Sequence, residues 1–312
     1  MDFETKFYSA GVPLAATVHI PGWNDNPEDT VKVPDGSAFR KAKYPIVLLC
    51  HGNSRNRNDG FDRFAEVLAE HGIASIRFDF RGCGEQAHKG YALLSASEMP
   101  YDAKCAIDFC ESLPFVDRDR IGMTGVSMGG IMTIRMAGGG EDRIKSAVTM
   151  AAVATVSKWR ARRPDGQESY ERIEGLMRED ARISAATGVS RIVNRISQMG
   201  EPDSEVADAN ILDELTVPGN NGYISLEGSR DGNRRNAVKY ARNVRCPVFV
   251  VHGEADSLVP VQCAYDIYNA LPTENPQKRI KIYPGVDHNI PIDKNREVVF
   301  KEVSEWFADT LL

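Results

Sequence analysis

Ser127 lies in the segment Gly125-Val126-Ser127-Met128-Gly129, and its surroundings are those of a nucleophile. A serine hydroxyl reacts poorly at neutral pH unless a base lies within hydrogen-bond reach. His288, in Tyr283-Pro284-Gly285-Val286-Asp287-His288, is the candidate base. Asp256, in Val250-Val251-His252-Gly253-Glu254-Ala255-Asp256, is the candidate carboxylate that fixes the imidazole tautomer and stabilises the imidazolium. Such a trio does acyl transfer, and the tetrahedral intermediate then needs hydrogen-bond donors. The backbone amide of Met128, the residue after the serine, is one candidate. The second is expected from the loop His51-Gly52-Asn53-Ser54, with the Asn53 amide as the choice.

Other residues compete for these roles. Glu254 and Asp287 flank the carboxylate position, but Asp256 falls just past a strand-like run and precedes Ser257-Leu258-Val259-Pro260. His51 and His252 each stand before a glycine at a strand end and are expected to be structural turn histidines. Cys83, in a glycine-rich loop, is expected to pack under the site rather than attack. The chain has no His-Glu-x-x-His and no paired His/Cys cluster, so neither a metal nor another cofactor is expected.

The elements that must hold these groups can be read from periodicity. Arg120–Thr124 is strand-like and 130–137 is helix-like, so Ser127 sits on a turn between them, where glycine neighbours leave room. The helix start also favours negative charge at that spot. Pro45–Cys50 is a continuous apolar run, as in a strand buried on both faces of a parallel sheet. Further strands are expected at 3–9, 14–20, 73–78, 144–150, 247–251 and 279–282, and helices at 61–70, 101–113, 261–271 and 296–311. Their alternation implies βαβ units and a mostly parallel sheet. Residues 21–43 read as a loop. Residues 155–242 break the pattern: they are charged, arginine-rich and helical in flavour, with Ile192, Val193 and Ile196 suiting an amphipathic helix. The expected organisation is therefore a core of 1–154 and 243–312 with a helical cap, 155–242, inserted before the last two strands and roofing Ser127. Trp159 in that cap, and Val259, are the candidates for substrate contact. Arg160, Arg162 and Arg163 read as a solvated face.

Composition narrows the partners. The 312 residues carry a formal net charge of -6, which argues against nucleic acid and anionic membrane. No apolar run approaches the ~20 residues needed to span a bilayer, and the start of the chain has no signal-peptide pattern. The six cysteines are scattered, as in a reduced cytoplasmic protein. The expected partner is a small-molecule ester, with a homodimer left open as the assembly.

The strand–Gly-x-Ser-x-Gly–helix unit and the chain order Ser127, Asp256, His288 resemble the α/β-hydrolase serine esterases, over 3–154 and 244–312. The stretches His51-Gly52-Asn53-Ser54-Arg55-Asn56-Arg57-Asn58 and 74–84 look like bacterial feruloyl and cinnamoyl esterases and their dienelactone-hydrolase-like relatives. In that family the residue after the His-Gly pair supplies an oxyanion amide, which falls on Asn53 here. Two positions depart from it: Cys83 stands where many relatives have histidine, and Asn53 where an apolar residue is common. The resemblance implies an α/β-hydrolase fold and a serine carboxylesterase acting on small or aryl esters through an acyl-enzyme. A thioesterase, acyltransferase, C–C hydrolase or small-peptide hydrolase of the same fold, or a non-catalytic binder, are the alternatives. An aspartate nucleophile is argued against by Ser127, and a propeller-bearing peptidase by length.

Overall fold

The apolar runs become the centre of one sheet because side chains alternate across a strand and both faces are covered. In β5 (Tyr44–Cys50), Ile46, Leu48 and Cys50 join the core cluster on one face, while Val47 and Leu49 join the cluster on the other. The computed structural model describes residues 1–22, 30–32, 38–40, 43–53, 55–84, 98–156, 166–188, 192–194, 206–207, 223–225, 235–274 and 277–312.

In chain order the strands of the main sheet are β1 (Asp2–Ser9), β2 (Val12–His19), β5, β6 (Ala74–Phe78), β7 (Val116–Val126), β8 (Ile144–Met150), β12 (Val248–Gly253) and β13 (Lys278–Tyr283). Their spatial order is β1-β2-β6-β5-β7-β8-β12-β13. The first two strands pair antiparallel, with each other and with β6, and the remaining pairs are parallel. The fold is that of an α/β hydrolase, with helices on both faces.

One face carries α1 (Phe61–Glu70) and the closing α7 (Arg296–Leu311). Their Phe64 and Phe300 rings stack with centroids 4.5 Å apart. The other face carries α2 (Met99–Ser112), α3 (Met128–Ala137), α5 (Ala237–Ala241) and α6 (Gln262–Ala270). All but α5 pack on the sheet, while α5 lies against α3 and α6; each fully buried large side chain contributes roughly 1.5–3 kcal/mol.

Two expectations are corrected. Residues 21–43 are not all loop: β3 (Thr30–Lys32) and β4 (Ala38–Arg40) form an antiparallel hairpin with Val31 opposite Phe39. The β-formers Thr30, Val31 and Phe39 supply the physical reason. The helix expected at Ile192 and Val193 is instead β9 (Ile192–Asn194), central to a small antiparallel sheet with β10 (Val206–Ala207) and β11 (Tyr223–Ser225). Consecutive β-branched residues favour the strand over the helix. Ile196 lies outside the described residues.

The helix α4 (Gly166–Thr187) precedes that small sheet and buries Met177. The chain leaves the main core and rejoins it at a clasp. Thr155 bridges Asn236, the Ala237 amide donates to Ala154 O at 2.9 Å, and the Val156 amide donates to Arg235 O at 3.2 Å. Helix α5, which the composition shift places in the cap, buries Ala237 and Ala241 in the main core.

Candidate active site

Ser127 stands at the carboxyl end of β7 with φ 56° and ψ −111°, a conformation that a non-glycine residue adopts only under strain. The turn is held from both sides. The Ser127 amide donates to Met150 O at 2.8 Å, and the Ile131 amide donates to Ser127 O at 3.0 Å as α3 begins. The glycines of the motif are required by contact. A Cβ on Gly125 would lie 2.7 Å from Cys50 O, and one on Gly129 would lie 2.1 Å from the same oxygen. The elbow is thus pressed onto the end of β5, and only residues without side chains permit it. Gly129→Ala should destabilise the protein by at least about 1–3 kcal/mol, because backbone rather than a flexible side chain must yield. Urea unfolding checks this; an unchanged midpoint would show that the elbow tolerates the added methyl.

That close approach also brings the loop after β5 to the serine. A Cβ on Gly52 would lie 3.7 Å from each of Ser127 Cβ, Val126 Cγ1 and Arg55 Cγ. Among the described residues neither the Asn53 nor the Met128 amide has an acceptor, and Met128 is at the start of α3, where helix amides have no internal partner. Ser54 lies outside the described residues. His51 is buried and neutral in its role: the Phe80 amide donates to its Nε2 at 3.1 Å, so Nδ1 carries the proton toward Gly52 O, 2.7 Å away. Burial pushes its pKa down, against the raising effect of Asp79. It ties the β5 loop to the β6 loop, as expected of a turn histidine. The same two loops share a buried ion pair, Arg57 Nη1 to Asp79 Oδ2 at 2.6 Å, reinforced by the Arg57 amide to Asp79 Oδ1 at 2.7 Å.

Asp256 and His288 come from loops after β12 and β13, which run parallel side by side. Their loops are zipped together. Glu254 N donates to Tyr283 O at 2.9 Å, and Ala255 N to Val286 O at 3.0 Å. A Cβ on Gly253 would lie 2.1 Å from Val286 O, so this crossing again needs glycine. The result is a 2.9 Å contact between His288 Nδ1 and Asp256 Oδ2. Because a carboxylate only accepts, Nδ1 bears the proton and Nε2 is left with its lone pair. Among the described residues Ser127 Oγ has no hydrogen-bond partner, His288 included, and proton transfer between them needs that contact to close to hydrogen-bond distance.

Asp256 Oδ1 accepts from the amides of Leu258 (2.9 Å) and Val259 (2.7 Å). Burial raises its pKa, but hydrogen bonds from His252 and His288 outweigh that and hold it well below the usual carboxylate range. The competitors are elsewhere engaged: Asp287 is exposed and caps the amides of Ser257 and His288, and Glu254 is exposed. Val259 is 1 % exposed and enters the site through its backbone. Trp159 lies outside the described residues, as do Arg160, Arg162 and Arg163. Cys83 is buried in the main core, at 1 % exposure. Sequence reasoning missed His252, whose Nε2 is 3.0 Å from Asp256 Oδ2. Its spacing of four from Asp256 does not by itself signal the contact, which depends on the turn at Leu258 and Val259.

A crevice beside the serine is lined by His51, Gly52, Arg55, Phe61, Val126 and Pro291. A second concavity of about 420 Å³ lies at the opposite, amino ends of the strands, around Ile144, Lys145 and Cys246. Ligands of open α/β sheets bind at the carboxyl ends, where Ser127, Asp256 and His288 converge. Among the described residues no group of three or more His, Cys, Asp or Glu is placed to hold a metal, and no helix is long and apolar enough to cross a membrane.

Comparison with known proteins places this geometry. The chain is 26 % identical over 258 residues to an uncharacterized 31.7 kDa protein from the traX–finO intergenic region of Escherichia coli, covering 78 % of this chain and 82 % of that one. It is 24 % identical over 280 residues to the uncharacterized peptidase YuxL of Bacillus subtilis, covering 86 % of this chain and 35 % of that protein, so it spans about a third of that relative. Among solved structures, Est1E from Butyrivibrio proteoclasticus with ferulic acid bound has a TM-score of 0.65 at 20 % identity, covering 98 % of both chains. The family model for serine aminopeptidases of the S33 type matches residues 41–295, and the chain belongs to that family of α/β hydrolases.

Proposed function

We propose that the protein is a serine carboxylesterase acting on small or aryl esters. The observation that carries the reading is the His288–Asp256 contact of 2.9 Å, which leaves His288 Nε2 with its lone pair at the strand ends that also present Ser127 on its strained turn. Nε2 takes the Ser127 proton as Oγ attacks the ester carbonyl. The oxyanion of the tetrahedral intermediate is held by the Asn53 and Met128 amides. Collapse expels the alcohol, which leaves with the proton from His288, and an acyl-Ser127 remains. Water, deprotonated by the same nitrogen, then releases the acid and restores the serine.

Two things support the ester as the substrate class. The 51–58 and 74–84 stretches are esterase-like, and the fold is shared with a protein whose structure holds ferulic acid; the crevice beside Ser127 is narrow and bordered by Phe61, Val126 and Pro291. Residues 155–242, closed at their base by the Thr155–Asn236 bridge, are the proposed cap over this crevice. Peptide hydrolysis is the second reading, favoured by the family's aminopeptidase description and by the peptidase relative. A panel of acetyl, butyryl, cinnamoyl and palmitoyl esters alongside aminoacyl anilides separates them. The highest kcat/KM is expected for short-chain or cinnamoyl esters. Preference for palmitoyl overturns the compact pocket, and preference for anilides overturns the esterase reading.

A further inference from the structure

His252 is a fully buried imidazole at the end of β12, with both neighbouring acceptors gathered on one nitrogen. Nε2 lies 2.9 Å from Val259 O and 3.0 Å from Asp256 Oδ2. A carbonyl and a carboxylate oxygen only accept, so Nε2 carries the proton: it donates to Val259 O and keeps Asp256 Oδ2 in contact at 3.0 Å. Nδ1 is buried and has no partner among the described residues. Packing alone does not account for such a ring, since an apolar side chain of similar size would leave no buried nitrogen unpaired. What the imidazole supplies is the Nε2–H.

We infer that His252 is a positioning residue for the reaction: its Nε2–H, shared between Val259 and Asp256, locks the Asp256 carboxylate in the orientation that meets His288 Nδ1. The inference rests on the reading of Ser127, Asp256 and His288 as the reacting trio. Asp256 is then held by three hydrogen bonds, from the amides of Leu258 and Val259 on one oxygen and from His288 on the other, where the His252 Nε2–H also lies 3.0 Å away. Loss of the His252 donor has two consequences. The carboxylate gains freedom to turn away from His288. Its negative charge, no longer shared with a second imidazole, also bears more fully on His288 and favours its protonated form. The other charged groups near His288 stay as they are: Asp287, which accepts the His288 amide, Asp293, which accepts the Asp287 amide, and Arg55, Asp59 and His51, which share a crevice with the neighbouring Asn289.

The test compares His252→Leu, which removes the donor, with His252→Gln, which places an amide N–H near the position of Nε2. In a folded His252→Leu protein, kcat should fall roughly tenfold to a hundredfold, the loss of one hydrogen bond to a charged group, with KM little changed. The acid limb of its rate profile should move to higher pH. His252→Gln should recover most of kcat and return the limb. A folded His252→Leu protein with wild-type kcat and an unmoved acid limb overturns the inference, as does a His252→Gln protein impaired as badly as His252→Leu. Should His252→Leu fail to fold, nitrogen-15 NMR of histidine-labelled wild-type protein decides: His252 must hold the proton on Nε2 with Nδ1 bare, and the opposite tautomer overturns the role. Ser127→Ala separates the two levels. If that variant keeps full activity, the trio itself is wrong. If it is inactive while His252→Leu is unaltered, only the role of His252 falls.

Discussion

Ser127→Ala is expected to fold like the wild type and to lose ester turnover by roughly 10⁴–10⁶-fold in kcat. The fold should survive because the elbow is built by its glycines and by backbone bonds to Met150 and Ile131, none of which uses the hydroxyl. Alanine at φ 56° keeps a strained backbone, so a modest change in Tm is compatible with this. The activity should fall because neither nearby cysteine can take over the attack: Cys83 is buried in the core, and burial pushes the Cys50 thiol pKa far up. Steady-state kinetics with a p-nitrophenyl ester, with circular dichroism on the same sample, gives the answer. A folded variant within tenfold of wild type would mean that another group does the chemistry.

Asp256→Asn is expected to cost about 10⁴-fold in kcat while leaving the backbone in place. The mechanism is a change of tautomer. The Asp256 carboxylate accepts from His288 Nδ1, which keeps Nε2 free to take the serine proton. An amide NH₂ in the same place would donate to Nδ1 and force the proton onto Nε2. The reverse orientation, with the carboxamide oxygen toward both imidazoles, is opposed because it turns the NH₂ onto the backbone donors of Leu258 and Val259. The depressed pKa of Asp256 adds a pH statement. A carboxylate whose folded pKa lies below its unfolded value contributes stability that is fully present above the ordinary carboxylate range and is lost as pH falls toward the folded value. Asp256 therefore remains ionised throughout the range in which the wild-type rate is measured, and the acid limb should follow a single proton. A wild-type limb that falls with the square of proton concentration, or an Asp256→Asn protein of near-normal kcat, would contradict this assignment.

The parts of the site legible in the sequence are those whose geometry is local. Gly125 and Gly129 are demanded by the approach of Cys50 O, so the glycines around the serine mark the turn in the sequence itself. Asp256 and His288 were legible because each follows an apolar strand directly, and parallel strands deliver their ends to one side of the sheet. The continuous apolar run at 45–50 likewise foretold a strand covered on both faces. His252 was not legible as an Asp256 partner. Whether its ring meets a carboxylate four residues on depends on the Leu258–Val259 turn, which no local propensity reveals. The β9 strand was misread because Ile192 and Val193 fit a helical stripe and a strand equally well over so short a run, and pairing with β10 and β11 decided between them. The β3–β4 hairpin was hidden for a similar reason: three-residue strands leave too little pattern against a background of turn residues.

The most direct test of the central claim is to trap the intermediate. Wild-type protein is mixed with excess p-nitrophenyl butyrate, quenched in acid within the first turnovers, and measured by intact-mass and peptide mass spectrometry. The account predicts a burst of p-nitrophenol or, where deacylation is fast, an adduct visible in the His288→Ala-slowed reaction with an activated ester. In either case the butyryl mass is carried on the peptide that contains Ser127, and it is absent from Ser127→Ala. Ester turnover with the acyl group on any other residue, or turnover that persists undiminished in Ser127→Ala, would contradict it.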